Sequence, residues 1–158
     1  MPLLDILKDF VIITEERYFD EKELEEASRF VSEFIRHNAK KEVLIVAGKL
    51  MYSADALEDS LYRTGPAKII FGGKSTEEFM AENIELRHLL EEGKLELYRL
   101  EEYPTYCYAC IDGKTLVVER VHKPEETPDI YFAKSGGSYA KKYRKRFYEL
   151  LKKAEPVK

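Results

Sequence analysis

Residues 103–122, YPTYCYACIDGKTLVVERVH, read as a β-hairpin: a strand, a tight Asp112-Gly113 turn and a second strand. The first arm alternates Tyr103, Thr105, Cys107 and Ala109 on one face with Tyr106, Tyr108 and Cys110 on the other. The second arm, Thr115 to Val121, is rich in the β-branched residues that suit a pleated surface.

Working upstream, Glu42 to Ala47 (EVLIVA) and Ala67 to Phe71 (AKIIF) are short apolar runs with little polar alternation, the mark of strands buried on both faces. Leu95 to Leu100 reads as a third strand. Ser53 caps a predicted helix through Tyr62, and Gly65-Pro66 breaks the chain. Ser75 and Glu78 have capping-box spacing at the start of another predicted helix, which ends near Gly93. Strands alternating with helices imply crossover connections. The expected class is therefore α/β, a mixed, mostly parallel sheet with helices on both faces.

Downstream of the hairpin come an acidic loop from Pro124 to Pro128, a short strand at Ile130 to Ala133 and a closing helix from Ser138 to Ala154. At the other end, Pro2 to Lys8 suits a short helix and Phe10 to Thr14 is strand-like. From Asp20 to Asn38 the spacing of Leu24, Ala27, Phe30, Val31, Phe34 and Ile35 predicts an amphipathic helix, with Asp20 and Glu23 as its capping box. Residues 1–158 are read as one domain, with 1–40 an N-terminal helical extension packed on it.

The hairpin resembles the motif region of phospholipase D-like proteins. These carry His-x-Lys-x-x-x-x-Asp on a strand that turns at Asp-Gly, followed by a strand ending in Gly-Ser-x-Asn. Anchored on Asp112, the pattern sets Cys107 at the Lys position and Thr105 at the position of the nucleophilic His. The second motif falls on Glu119, Arg120 and His122, and the order of elements matches from about Glu42 onward. Of the first motif's residues Asp112 alone matches, and it is equally explained as the turn residue of Asp-Gly.

The resemblance implies a single phospholipase D-like half, catalytically inactive, whose cleft serves a small ligand or a protein partner. Tyr103, Thr105, Cys107, Asp112, Arg120 and His122 are the cleft candidates. It also implies a homodimer, because active members build one site from two facing half-domains. Those enzymes attack phosphorus with an imidazole nitrogen to form a covalent intermediate. A threonine hydroxyl with no base beside it does not do this at neutral pH. Cys107 as nucleophile needs a neighbouring cation, for which Arg120 and His122 are the candidates. An unconventional phosphodiesterase is thus the third reading, behind a binding module and a nucleic-acid-associated protein.

Cys107 and Cys110 form Cys-x-x-Cys, but within a strand positions three apart face opposite ways. Packed thiols are expected rather than a redox or zinc site. His37, His88 and His122 are scattered, so neither a metal nor a cofactor is expected. Gly72-Gly73-Lys74-Ser75 falls short of a phosphate loop, since Lys68 stands where the first glycine belongs. A capped turn explains it, although free amides at a helix start favour anions.

At 44% hydrophobic and 35% charged, the 158 residues suit a globular rather than a disordered chain. No apolar run approaches the roughly 20 residues of a membrane helix. The opening MPLLDILKD lacks the basic region and long apolar core of a secretion signal, so a cytoplasmic location is the default. The absence of Gln, with abundant Lys and Glu, follows the hyperthermophile trend.

Charge is unevenly placed. From Lys134 to Lys158 nine Lys/Arg face two Glu, a net +7; with −4 for the whole chain, residues 1–133 carry −11. Tyr139, Tyr143, Phe147, Leu150 and Leu151 share a face of the closing helix, which turns Lys141, Lys142, Arg144, Lys145 and Arg146 outward. They form either a polyanion patch giving weak, sequence-blind nucleic-acid binding or a solvated face whose cations pair with the acidic remainder.

Overall fold

The computed structural model describes residues 16–18, 35–37, 39–47, 54–104, 106–119, 130–135 and 138–157. Its elements are β1 (Glu16–Tyr18), β2 (Val43–Ala47), α1 (Ala54–Leu61), β3 (Ala67–Gly72), α2 (Thr76–Glu82), a 3-10 turn (Ile84–Leu86) and α3 (Arg87–Glu91). They continue with β4 (Leu95–Leu100), β5 (Tyr108–Ile111), β6 (Thr115–Glu119), β7 (Ile130–Ser135), α4 (Ser138–Leu151) and β8 (Glu155–Pro156).

These strands form an eight-stranded sheet in the order β1-β7-β6-β5-β2-β3-β4-β8. The α/β class, the mixed sheet and the helices on both faces are as the sequence led us to expect. Its parallel part is β2-β3-β4, whose members are joined through helices. The other five pairs, β1-β7, β7-β6, β6-β5, β5-β2 and β4-β8, are antiparallel.

β2 is buried at every position because it lies between β5 and β3 with a core on each face. Alternate residues divide as the pleat requires. Val43, Ile45 and Ala47 join Ile69, Phe71, Leu95 and Leu97 in a core closed by Ile35, Leu57, Phe79, Leu86 and Leu89. Phe71 stacks on Phe79 with ring centroids 4.2 Å apart, pinning α2 to β3; truncating such a buried aromatic costs about 3–5 kcal/mol. On the other face Leu44, Val46, Ile70, Tyr108, Cys110 and Leu116 meet Ala140 and Phe147 of α4.

Several boundaries differ from expectation. The hairpin's first arm starts at Tyr108 rather than Tyr103. Pro104 lacks an N–H donor, and the chain before Tyr108 is still crossing from β4 to β5. The helix expected to end near Gly93 is broken after Glu82, where buried Asn83 turns its side-chain amide onto the Phe79 carbonyl at 2.9 Å. The closing helix stops at Leu151, and the residues after it form β8, held by the Val157 N–H to Leu97 carbonyl bond at 2.8 Å. That short strand has no pattern of its own to announce it. Residues 35–37 are helical; the rest of the helix expected over 20–38, the elements expected at 2–8 and 10–14, and the 124–128 loop lie outside the described residues. No helix among the described residues is long and apolar enough to cross a membrane.

Candidate binding site

Strand pairing defines two ends of the sheet. At one end β2, β3 and β4 finish at Ala47, Gly72 and Leu100, and β5 begins there, Tyr108 lying opposite Val46. Tyr103, Cys107 and the Gly72–Ser75 turn therefore gather at this end. Asp112 ends β5 at the other, about 16 Å away at the rise of an extended strand. The structure thus places Tyr103 with Cys107 and separates both from Asp112. Thr105, Arg120 and His122 lie outside the described residues.

The Cys107 thiol, 5% exposed, donates to the Tyr103 hydroxyl across 3.9 Å. Tyr103 lies against Gly73, where a Cβ would come within 2.8 Å of the tyrosine's own. Gly73 adopts φ +74, which glycine alone enters freely. The turn itself is tied by Arg99 Nε, which donates to the Lys74 carbonyl at 2.9 Å, and by the Lys74–Glu82 ion pair at 2.8 Å. Ser75 Oγ accepts the Glu78 N–H at 3.1 Å, the capped turn expected from its spacing. Of the described imidazoles, His88 faces Glu58 at 3.6 Å and exposed His37 precedes β2, so neither reaches this end. Among the described residues no cluster of His, Cys, Asp and Glu could hold a metal ion.

Both cysteines are free and buried. Burial pushes the Cys110 thiol up to about 11, and its Sγ donates to the Ala140 carbonyl at 3.5 Å. Cys110 is thus a neutral packing group at physiological pH.

At the other end Asp112 has φ 57 and Gly113 φ 65, with the Lys114 N–H bonded to the Ile111 carbonyl at 3.0 Å. Positive φ at both central residues is the type I′ signature that Asp-Gly favours. The Asp112 carboxylate accepts the backbone N–H groups of Lys40, Lys41 and Glu42 at 2.7–3.1 Å. Its role here is to clamp the segment entering β2.

The basic helix α4 does not present its cations uniformly. Arg144 grips Glu42 with Nε at 2.8 Å and Nη2 at 3.3 Å, and the Tyr148 hydroxyl donates to the same carboxylate at 2.7 Å. Burial pulls the Glu42 carboxyl up, but the Arg144 and Tyr148 hydrogen bonds outweigh it and hold it below the ordinary value. Arg144, expected in the outward patch, is thereby spent within the fold. Arg146 instead lies over two rings, its guanidinium carbon 5.3 Å from the Tyr106 centroid and 5.0 Å from that of Tyr143. Lys141, Lys142 and Lys145 are exposed and make no ion pair with a described residue. Tyr139, expected on the packed face, is 47% exposed; Ala140 takes the buried place. Sequence spacing did not single out Glu42, Tyr106 or Tyr148. The signal was available only for Tyr106, which the alternation of the first arm places on the face that α4 covers.

No protein-family model matches the chain, and no curated protein sequence matches it. Solved structures do. The archaeal chromatin protein TrmBL2, whose structure shows a novel mode of DNA binding, superposes with a TM-score of 0.65 at 15% identity over 98% of this chain and 59% of its own. This chain thus spans little more than half of that protein. NucT from Helicobacter pylori gives 0.62 at 14% identity over 90% of this chain and 99% of its own. Nuc from Salmonella typhimurium, a phospholipase D family member, gives 0.61 at 10% identity, covering 91% and 97% respectively. The fold is phospholipase D-like.

Proposed function

We propose that this phospholipase D-like chain no longer hydrolyses phosphodiesters and works by binding a small ligand or protein partner at the end of the sheet that holds Tyr103 and Cys107. One observation carries the reading: where the enzymes place His-x-Lys the chain has Thr105-Tyr106-Cys107, and Cys107 is a buried thiol facing a phenol. The enzymes attack phosphorus with an imidazole nitrogen, and a threonine hydroxyl at that position does not replace it at neutral pH. Incubation with bis(p-nitrophenyl) phosphate and with single- and double-stranded DNA should give no turnover. Metal-independent turnover that disappears in Cys107→Ser would overturn the proposal.

A second reading, association with nucleic acid through α4, is favoured by the exposed and unpaired Lys141, Lys142 and Lys145 beside Arg146. If about four cations reach phosphates, log affinity for a duplex falls with log salt at a slope near −3.6. The −11 carried by residues 1–133 opposes it, so binding is weak and blind to sequence. Charge reversal in Lys141→Glu/Lys145→Glu should abolish what binding there is at low salt.

We also propose two assignments of assembly. Residues 1–158 form one domain with 1–40 as an extension packed on it, a reading supported by the pairing of β1 with β7 at the sheet edge. Two copies associate through an isologous contact. Light scattering at high micromolar concentration should give twice the chain mass; a monomer mass would rule the dimer out.

A further inference from the structure

From the placement of Arg146 we infer that Tyr106, Tyr143 and Arg146, with Tyr139 and Lys142 beside them, form a site for single-stranded nucleic acid. The inference rests on the second reading above, that α4 meets a polyanion, and it names which polyanion and which residues. Tyr139, Lys142, Tyr143 and Arg146 recur at i, i+3, i+4 and i+7, so they form one stripe along α4 about 10 Å long.

Tyr106 stands beside that stripe, 39% exposed, its ring edge-on to Tyr143 at 6.5 Å. Arg146 is bracketed by the two rings rather than by a carboxylate. Its guanidinium is therefore held in position while its N–H donors make no hydrogen bond to a described residue. Arg144, two residues away, shows the contrary arrangement, with its donors consumed by Glu42.

A fixed guanidinium with open donors suits a phosphate, and an exposed tyrosine face suits a base. A duplex keeps its bases stacked on one another, so Tyr106 and Tyr139 gain nothing from it. A single strand offers both groups at once. A base stacks on Tyr106, and Arg146 and Lys142 hold the phosphates on either side of it. This is recognition without sequence readout, because every base has a π-face.

The test is a titration of the full chain with a labelled oligothymidylate of about a dozen nucleotides and with a duplex of equal length, both near 50 mM salt. The single strand should bind several-fold tighter than the duplex. Tyr106→Ala should weaken the single strand about ten-fold, with its salt slope unchanged and duplex binding untouched. Tyr106→Phe, which keeps the ring, should bind as wild type. Arg146→Ala should weaken both ligands and flatten the single-strand slope by about 0.7. Because the chain has no Trp, its emission is that of tyrosine, and stacking should quench it on adding the single strand alone. Equal binding of strand and duplex, or wild-type affinity in Tyr106→Ala, overturns the inference. If Lys141→Glu/Lys145→Glu still abolishes binding in that case, the polyanion reading survives alone. If wild type binds neither ligand, both fall.

Discussion

Asp112 and Glu42 hold each other twice: the Asp112 N–H donates to the Glu42 carbonyl at 2.8 Å, and the Glu42 N–H donates to Asp112 Oδ1 at 2.9 Å. With Lys40 and Lys41 also donating to the carboxylate, one turn residue fixes the entry of the central strand. Asp112→Ala removes these acceptors and strains φ 57, and should cost about 2–4 kcal/mol. Asp112→Asn keeps one acceptor oxygen and tolerates the backbone angle, so it should cost less. Urea unfolding of the two variants checks the order; wild-type stability in Asp112→Ala would show that the clamp contributes nothing.

The carboxylate of Glu42 governs how stability varies with pH. Its folded pKa lies below the ordinary 4.5, since the hydrogen bonds from Arg144 and Tyr148 overcome the upward pull of burial. The stabilisation is therefore complete above about 4.5 and is lost as pH falls through the lower folded value. Tyr148 acts at the alkaline side: burial, then its bond to Glu42, push its hydroxyl up to about 12. Its contribution is present below the unfolded value near 10 and fades as pH rises toward 12. Urea midpoints across the pH range should fall at both flanks, and Glu42→Gln should flatten the acid flank. An acid flank unchanged in Glu42→Gln would refute the assignment.

How much of this was legible in the sequence depends on the range of the interactions concerned. Val43–Ala47 declares itself through an unbroken apolar run, Ala67–Gly72 and Leu95–Leu100 through short runs rich in apolar residues, and Asp112-Gly113 through turn chemistry; all of these are local signals. β8 is two residues long and exists only because α4 returns the chain to Tyr98 and Arg99. Arg144 is indistinguishable from Arg146 in the pattern of the helix. One meets Glu42, 102 residues away, and the other meets Tyr106, so only tertiary placement separates the ion-paired arginine from the one held over aromatic rings. The same holds for Tyr103 and Asp112, which the hairpin motif sets near one another in sequence and the strand carries to opposite ends of the sheet.

Cys110 should be chemically silent. It is fully buried, and its thiol is pushed up to about 11 by desolvation first and by the nearby Glu42 charge next. Thiolate, the reactive form, is then scarce at pH 8. In Cys107→Ser, where Cys110 is the remaining thiol, a disulfide reagent should label the native protein negligibly and the urea-unfolded protein stoichiometrically. Rapid labelling under native conditions would mean that α4 does not cover the strand.

Gly72 illustrates a residue read for chemistry that serves geometry instead. At this position a side chain would collide with the Glu102 carbonyl oxygen and sit 3.0 Å from Leu100 Cβ. Glu102 is backbone on its way from β4 to Tyr103 and Cys107, so it cannot yield as a flexible side chain would. Gly72→Ala should therefore push the crossing segment off the sheet and cost about 1–3 kcal/mol. Because that segment shields Cys107, the variant should also expose the Cys107 thiol to reagent faster than wild type. Gly65 is the matched control: nothing lies within 4 Å of its would-be Cβ, and its φ is not positive. Gly65→Ala should be neutral, or stabilising by about 0.4–1 kcal/mol through the unfolded chain. Urea midpoints give the order and thiol labelling gives the location. If Gly72→Ala is as stable as Gly65→Ala and Cys107 stays protected, the crossing segment does not press on the end of β3.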